Sequence, residues 1–94
     1  MQFEWDPEKA RTNRVKHRID FETARRVWDD PLMVLLPDRI RLGEERRHAV
    51  GVVGPVSVLV VVHLYLDADD MQRVRIISAR RATHHERRQY EDGA

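Results

Sequence analysis

The stretch Ser57-Val58-Leu59-Val60-Val61-Val62-His63-Leu64-Tyr65-Leu66 is apolar at almost every position, and it constrains the fold more than any other part of the chain. Successive side chains of a strand point to opposite faces of a sheet, so a strand wetted on one side alternates apolar with polar. A segment apolar on both faces belongs in the middle of a sheet. The rest of the 94 residues must be arranged around it. That length suffices for one modest core and not for two, which predicts a single domain over residues 1–94.

The neighbouring elements follow from cap and turn signals. Phe3 and Trp5 alternate with polar residues, as in a short first strand. Asp6-Pro7 opens a helix, since aspartate caps free amides and proline suits the first helical position. That helix is expected from Pro7 to His17, with a thin apolar face of Ala10 and Val15. Asp20 offers a second cap, and Phe21, Ala24, Val27 and Trp28 then recur at helical spacing. The pattern stops at Asp30-Pro31, because the residue before a proline avoids the helical region.

Leu32 to Leu36 reads as a strand ended by Pro37-Asp38, Arg39 to Gly43 as a polar turn, and Arg46 to Val53 as the next strand, closed by Gly54-Pro55. Asp67 to Asp70 makes a hairpin loop after the central strand. Met71 to Arg80 then returns, with Val74, Ile76 and Ser78 expected on one face and Arg73, Arg75, Ile77 and Ala79 on the other. Thr83 with Glu86 three residues on forms a capping box and starts a last helix. The order is βααββββα. Short connections imply an α+β domain: an antiparallel sheet of four to five strands, two N-terminal helices and one C-terminal helix, the helices on one face.

No apolar run approaches the ~18 residues of a membrane span. The N-terminal residues lack the basic-then-apolar order of a signal peptide, so a cytoplasmic location is expected, with no membrane partner. The absence of cysteine rules out disulfides and thiolate metal sites. With 17 Lys plus Arg against 16 Asp plus Glu, the net charge is +1. Such a balance argues against non-specific duplex binding by counterion release but permits a local basic cleft.

Arginines occur in pairs, Arg25-Arg26, Arg46-Arg47, Arg80-Arg81 and Arg87-Arg88. A guanidinium is a planar, permanently charged fork of donors that matches phosphate oxygens two at a time. Arg80, at the end of the last strand, is therefore the first candidate to hold a phosphodiester. Arg75 and Arg46 are expected to meet it across the sheet in one open hollow. As a charged surface group, Arg80 is expected to matter little for stability.

Other candidates carry two readings each. Arg75 either helps grip phosphate or pairs with an acid such as Glu45. Lys16 and His17 close the first helix, where a histidine can exchange protons near neutral pH or both can cap carbonyls. Glu45 is either a base or the partner that holds Arg46. Tyr90 stacks on a base or packs the last helix. His63 reads as a core histidine and Ser78 as a buried hydroxyl. His84-His85-Glu86 lacks the four-residue histidine spacing of a helical zinc site, so no metal and no cofactor are expected.

Phe3-Glu4-Trp5-Asp6, Lys9-Ala10, Asn13, Lys16-His17, Phe21-Glu22, Asp30-Pro31, Glu45-Arg46 with Gly51, and Arg75-Ile76-Ile77-Ser78-Ala79-Arg80-Arg81-Ala82 with Glu86 and Tyr90 resemble, in order and over nearly the whole chain, the BrnT toxins of bacterial toxin-antitoxin pairs. Two positions depart from that family's pattern: Arg18 stands where it usually has glycine, and Asp20 where it usually has serine. The resemblance implies a RelE-like fold and a ribonuclease that cleaves mRNA and arrests translation. It also implies neutralisation by a BrnA-like DNA-binding antitoxin, with operator DNA reached only through that complex.

Metal-free RNA cleavage needs a proton taken from the 2′-hydroxyl, one given to the leaving oxygen, and donors for the phosphorane charge. Arg80, Arg46, Arg75, His17, Lys16 and Glu45 are the candidates for these roles, and Lys9, Arg81 and Tyr90 for contacts to RNA. A non-catalytic RNA- or ribosome-binding protein and a protein-interaction module are the alternatives.

Overall fold

The computed structural model describes residues 1–41, 44–55, 57–67 and 71–93. Strands β1 (Gln2–Trp5), β2 (Val34–Arg41), β3 (Glu44–Val53), β4 (Ser57–Tyr65) and β5 (Arg73–Arg81) form one sheet in the order β1-β5-β4-β3-β2. The twice-apolar segment β4 is its centre. Helix α1 covers Pro7–His17, α2 covers Phe21–Ala24 and tightens into a 3₁₀ turn over Arg25–Asp29, and α3 covers His84–Glu91. The chain is thus α+β in the expected order.

The sheet is mixed where an antiparallel one was expected. Hairpin-linked strands β2 to β5 pair antiparallel, but β1 runs parallel to β5, with Phe3 opposite Val74 and Trp5 opposite Ile76. Almost the whole chain separates these two strands, so no hairpin dictates their direction.

The helices also divide between the two faces. Phe21, Ala24 and Val27 of the α2 region pack on Ala49, Leu59, Val61, Val74, Ile76 and Ala79. On the opposite face Ala82 and Tyr90, flanking and within α3, pack against Val50, Val58 and Val60. A central strand apolar on both sides needs that second cover, which a one-sided arrangement would not supply.

A bulge in β5 changes which side chains face where. Val62 pairs with Ser78 and His63 with Ile76, leaving Ile77 as the extra residue. Alternation restarts after it, so Ala79 joins Val74 and Ile76 in the core, Ser78 leaves their face, and Arg80 lies opposite Val60 on the α3 side.

Two further expectations shift. Val15 is 78% exposed and takes no part in docking α1. Strand β2 continues through Arg39–Arg41, which read as a turn, because β3 begins at Glu44 and the ladder extends to Arg41 opposite Glu44. Its register slips after Pro37, whose nitrogen cannot donate. Leu42 and Gly43, and positions 68–70 of the predicted hairpin loop, lie outside the described residues.

Asp30 ties the two layers. Its Oδ1 accepts the Leu32 amide at 2.9 Å, and its Oδ2 accepts the Val52 amide at 2.8 Å and the Tyr90 hydroxyl at 2.6 Å. Gly51 lets β3 approach closely there, for a Cβ on it would sit 2.9 Å from Val27 Cγ1 and 3.2 Å from the Val27 carbonyl.

Candidate active site

Strand β1 covers β5 only as far as Ile76, and α1 crosses the edge that remains. Asn13 replaces the missing strand. Its Nδ2 donates to the carbonyls of Ala79 at 2.9 Å and Ile19 at 3.0 Å, and its Oδ1 accepts the Ala79 amide at 3.0 Å. A carboxamide carries the same donor and acceptor pair as a peptide, so it can pair with an open strand edge.

Between α1 and this edge lies an open cavity of about 520 Å³. Glu8, Lys9, Thr12, Lys16 and His17 supply one wall, and Ile77, Ser78 and Arg80 the other. Positions 8, 12 and 16, and 9, 13 and 17, form two adjacent columns with successive members about one helical turn apart, so this face of α1 lines the cleft while Arg11 and Arg14 line another cavity. The bulge at Ile77 brings both it and Ser78 to the opposite wall.

Arg80 is anchored rather than waving in solvent. Its Nη1 donates to Glu86 Oε1 at 2.7 Å and its Nη2 to Oε2 at 2.9 Å, with the two side chains 30% and 13% exposed. Glu86 also closes the α3 capping box, accepting the Thr83 amide at 2.9 Å. These bonds give Arg80 a structural part that an ordinary charged surface group, as expected of it from the sequence, lacks. The Arg80 hydrogen bonds, opposed by burial and aided by the Thr83 amide, hold the Glu86 carboxyl down at about 2. The same pair raises Arg80 further above its ordinary value.

Stability should therefore fall at both ends of the pH range. Glu86 ionises more readily folded than unfolded, so its contribution is complete above 4.5 and is lost as pH falls toward about 2. Tyr90 behaves oppositely. Its hydrogen bond to Asp30, with burial, raises it from 10.0 to about 12, so its contribution is complete below pH 10 and lost on the way to 12. Urea midpoints measured from pH 2 to 12 should show both limbs, with Glu86→Gln flattening the acid one. An acid limb unchanged in that variant would contradict the assignment.

The cleft gathers Arg80, Lys16, His17 and Lys9. It does not gather the other candidates. Arg75 is exposed and bound to Glu4 at 2.7 Å across the β1–β5 pair. Arg46 is on β3 and does not line the cleft, so of Arg46, Arg75 and Arg80, which were expected in one hollow, the cleft holds only Arg80. Glu45 is exposed and accepts from Arg47 at 3.2 Å. Arg81 lines a different cavity, and Tyr90 is engaged with Asp30. Of the lining residues, Glu8 and Thr12 were not singled out in the sequence and Asn13 only through the family resemblance, although their four-residue spacing with Lys16 and His17 marks one helix face.

His63 is fully buried, with its Nδ1 3.0 Å from the Val61 carbonyl and its ring edge-to-face with Trp28 and Tyr65, each at 4.8 Å. Burial lowers it to about 4, so it is neutral at pH 7. It packs in the core and is not among the residues that line the cleft.

Fold and site together define a small α+β protein with an open, cationic cleft at the edge of its sheet. Residues 5–86 match the family described as "Ribonuclease toxin, BrnT, of type II toxin-antitoxin system", and the chain belongs to that family. Its fold is similar to the crystal structure of the Brucella abortus ribonuclease toxin BrnT, with a TM-score of 0.68 and 22% identity over 89% of this chain and 99% of that one. Among curated proteins no match was found. Among the described residues, no helix is long and apolar enough to cross a membrane.

Proposed function

We propose that this chain is the toxin of a type II toxin-antitoxin pair, that it cleaves mRNA without a metal and so arrests translation, and that a BrnA-like DNA-binding antitoxin silences it by covering the cleft. The observation that carries this reading is the convergence of Lys9, Lys16, His17 and Arg80, from α1 and β5, on one open cavity.

In this reading His17 handles the proton of the 2′-hydroxyl, as imidazole can near neutral pH. The 2′-oxygen attacks the phosphorus of the adjacent 3′-phosphodiester, the bond to the 5′-oxygen breaks as that oxygen takes a proton from water, and a 2′,3′-cyclic phosphate remains. Arg80 holds the phosphorane charge. Of its five N–H donors, two go to Glu86 and one to the Arg81 carbonyl at 3.4 Å, which leaves Nε–H and the outer Nη2–H as a parallel fork. Glu86 thus fixes the plane of the guanidinium without occupying the fork. Lys9 and Lys16 contribute positive charge along the wall.

The metal-free reading rests on the cleft's own side chains, an imidazole to move the proton and a guanidinium to hold the phosphorane charge. Purified protein freed of antitoxin should cut a mixed RNA pool in the presence of EDTA, leaving cyclic phosphate ends. RNA left intact overturns the enzyme reading. Stoichiometric antitoxin, covering an area of about 800 Å² on each side, should suppress cleavage. Full activity in the stable complex overturns occlusion.

A further inference from the structure

A second cavity, of about 180 Å³, is lined from the same two stretches of chain. His17 and Arg80 line the cleft, and the next residue of each segment, Arg18 and Arg81, lines this second cavity. Both cavities thus draw on the C-terminal end of α1 and the end of β5, with Arg80 and Arg81 on opposite faces of the strand. The second has a buried apolar floor of Ile19, Val53 and Leu59, and Ser57 and Thr23 also contribute to its lining.

Charge pairing separates these two arginines from most others. Arg73, Arg75, Arg80 and Arg87 each hold a carboxylate. Among the described residues, no ion-pair partner engages Arg18 or Arg81. Asp20 also lines the cavity, but its Oδ1 accepts the Thr23 amide at 2.7 Å, a bond that holds its carboxyl below the ordinary range. Two guanidinium groups against one committed carboxylate leave one net positive charge beside an apolar floor.

We propose, resting on the ribonuclease reading above, that this cavity is a substrate subsite in which Arg18 and Arg81 clasp the phosphate of a nucleotide flanking the scissile bond while its ribose or base lies on the Ile19–Val53–Leu59 floor. The RNA strand crosses from one cavity to the other over the end of α1. A single-stranded segment suits this path, because a duplex cannot splay a base onto the floor.

Arg18 offers a clean test. It holds φ of 60° at the C-cap of α1, a left-handed position that glycine fills without strain, so Arg18→Gly removes the charge while favouring the fold. Binding of a 2′-O-methyl RNA oligonucleotide, which resists cleavage, is measured by fluorescence anisotropy over a salt series. Wild type is compared with Arg18→Gly, Arg81→Ala and the double variant. The double variant should bind about tenfold more weakly, as for loss of a charge-assisted contact. Its plot of log affinity against log salt should be shallower by about 0.7, the value of one single-strand phosphate.

An unchanged affinity and slope in a double variant whose wild type binds RNA would overturn the subsite and leave the ribonuclease reading intact. Weaker binding with an unchanged slope would overturn the phosphate clasp. A wild type that binds no RNA would overturn both.

Discussion

Arg80→Ala should lower the single-turnover rate of RNA cleavage by about a hundred- to thousandfold, the usual loss when one well-placed transition-state donor is removed. The expectation follows from the fork that remains once Glu86 has taken one edge of the guanidinium. The variant should still fold. Glu86 keeps the Thr83 amide at 2.9 Å and the α3 cap survives, so the stability cost should be about 1–3 kcal/mol, that of hydrogen bonds to a charged group.

Two companions separate charge from geometry. Arg80→Lys keeps a positive charge but has no planar fork, and should recover little of the rate. Glu86→Gln keeps Arg80 but weakens the partner that sets its plane, and should lose rate while retaining most RNA affinity. An Arg80→Ala protein that cuts at the wild-type rate would remove Arg80 from the chemistry and leave the cleft's function to Lys16 and His17.

Much of this fold was legible because its signals are local. Asp6-Pro7 capped α1 as written, with the aspartate accepting the Glu8 amide at 2.9 Å, and Thr83 and Glu86 formed both halves of the capping box. The apolar run Ser57–Leu66 placed β4 at the centre of the sheet. The features that failed to show were set by contacts between distant segments. Nothing near Ile77 announces a bulge, since the extra residue is accommodated by pairing with β4. The parallel pairing of β1, the second helical layer and the carboxylate of Glu4 that claims Arg75 are likewise long-range outcomes, whereas Glu86 reaches Arg80 from only six residues away. The site was half legible for the same reason. Lys9, Lys16 and His17 share a helix face that spacing reveals, whereas the company kept by each arginine depends on which strand lies beside it.

Asn13→Ala should be among the most damaging single substitutions. Asn13 is buried and makes three hydrogen bonds, two to the exposed edge of β5 and one to the Ile19 carbonyl. Truncation strands three backbone groups, each worth about 1–3 kcal/mol when left unsatisfied, and local relaxation recovers part of that. A net loss of about 3–5 kcal/mol is a large share of a stability of about 5–15 kcal/mol. For a domain of this size the midpoint of thermal unfolding should drop by roughly 15–30 °C.

Asn13→Asp sharpens the test, because a carboxylate lacks the donors that the Ala79 and Ile19 carbonyls require. Protonation restores one donor, so the carboxyl should titrate higher folded than unfolded. The variant's deficit should then be smallest below about pH 4, the unfolded value, and grow as pH rises through the folded value. Cleavage should fall with docking in both variants, because α1 carries Lys9, Lys16 and His17 into the cleft only while Asn13 pins it to Ala79. Wild-type melting behaviour in Asn13→Ala would show that packing alone seats the helix, and the polar bridge to β5 would lose its place as the element that builds the site.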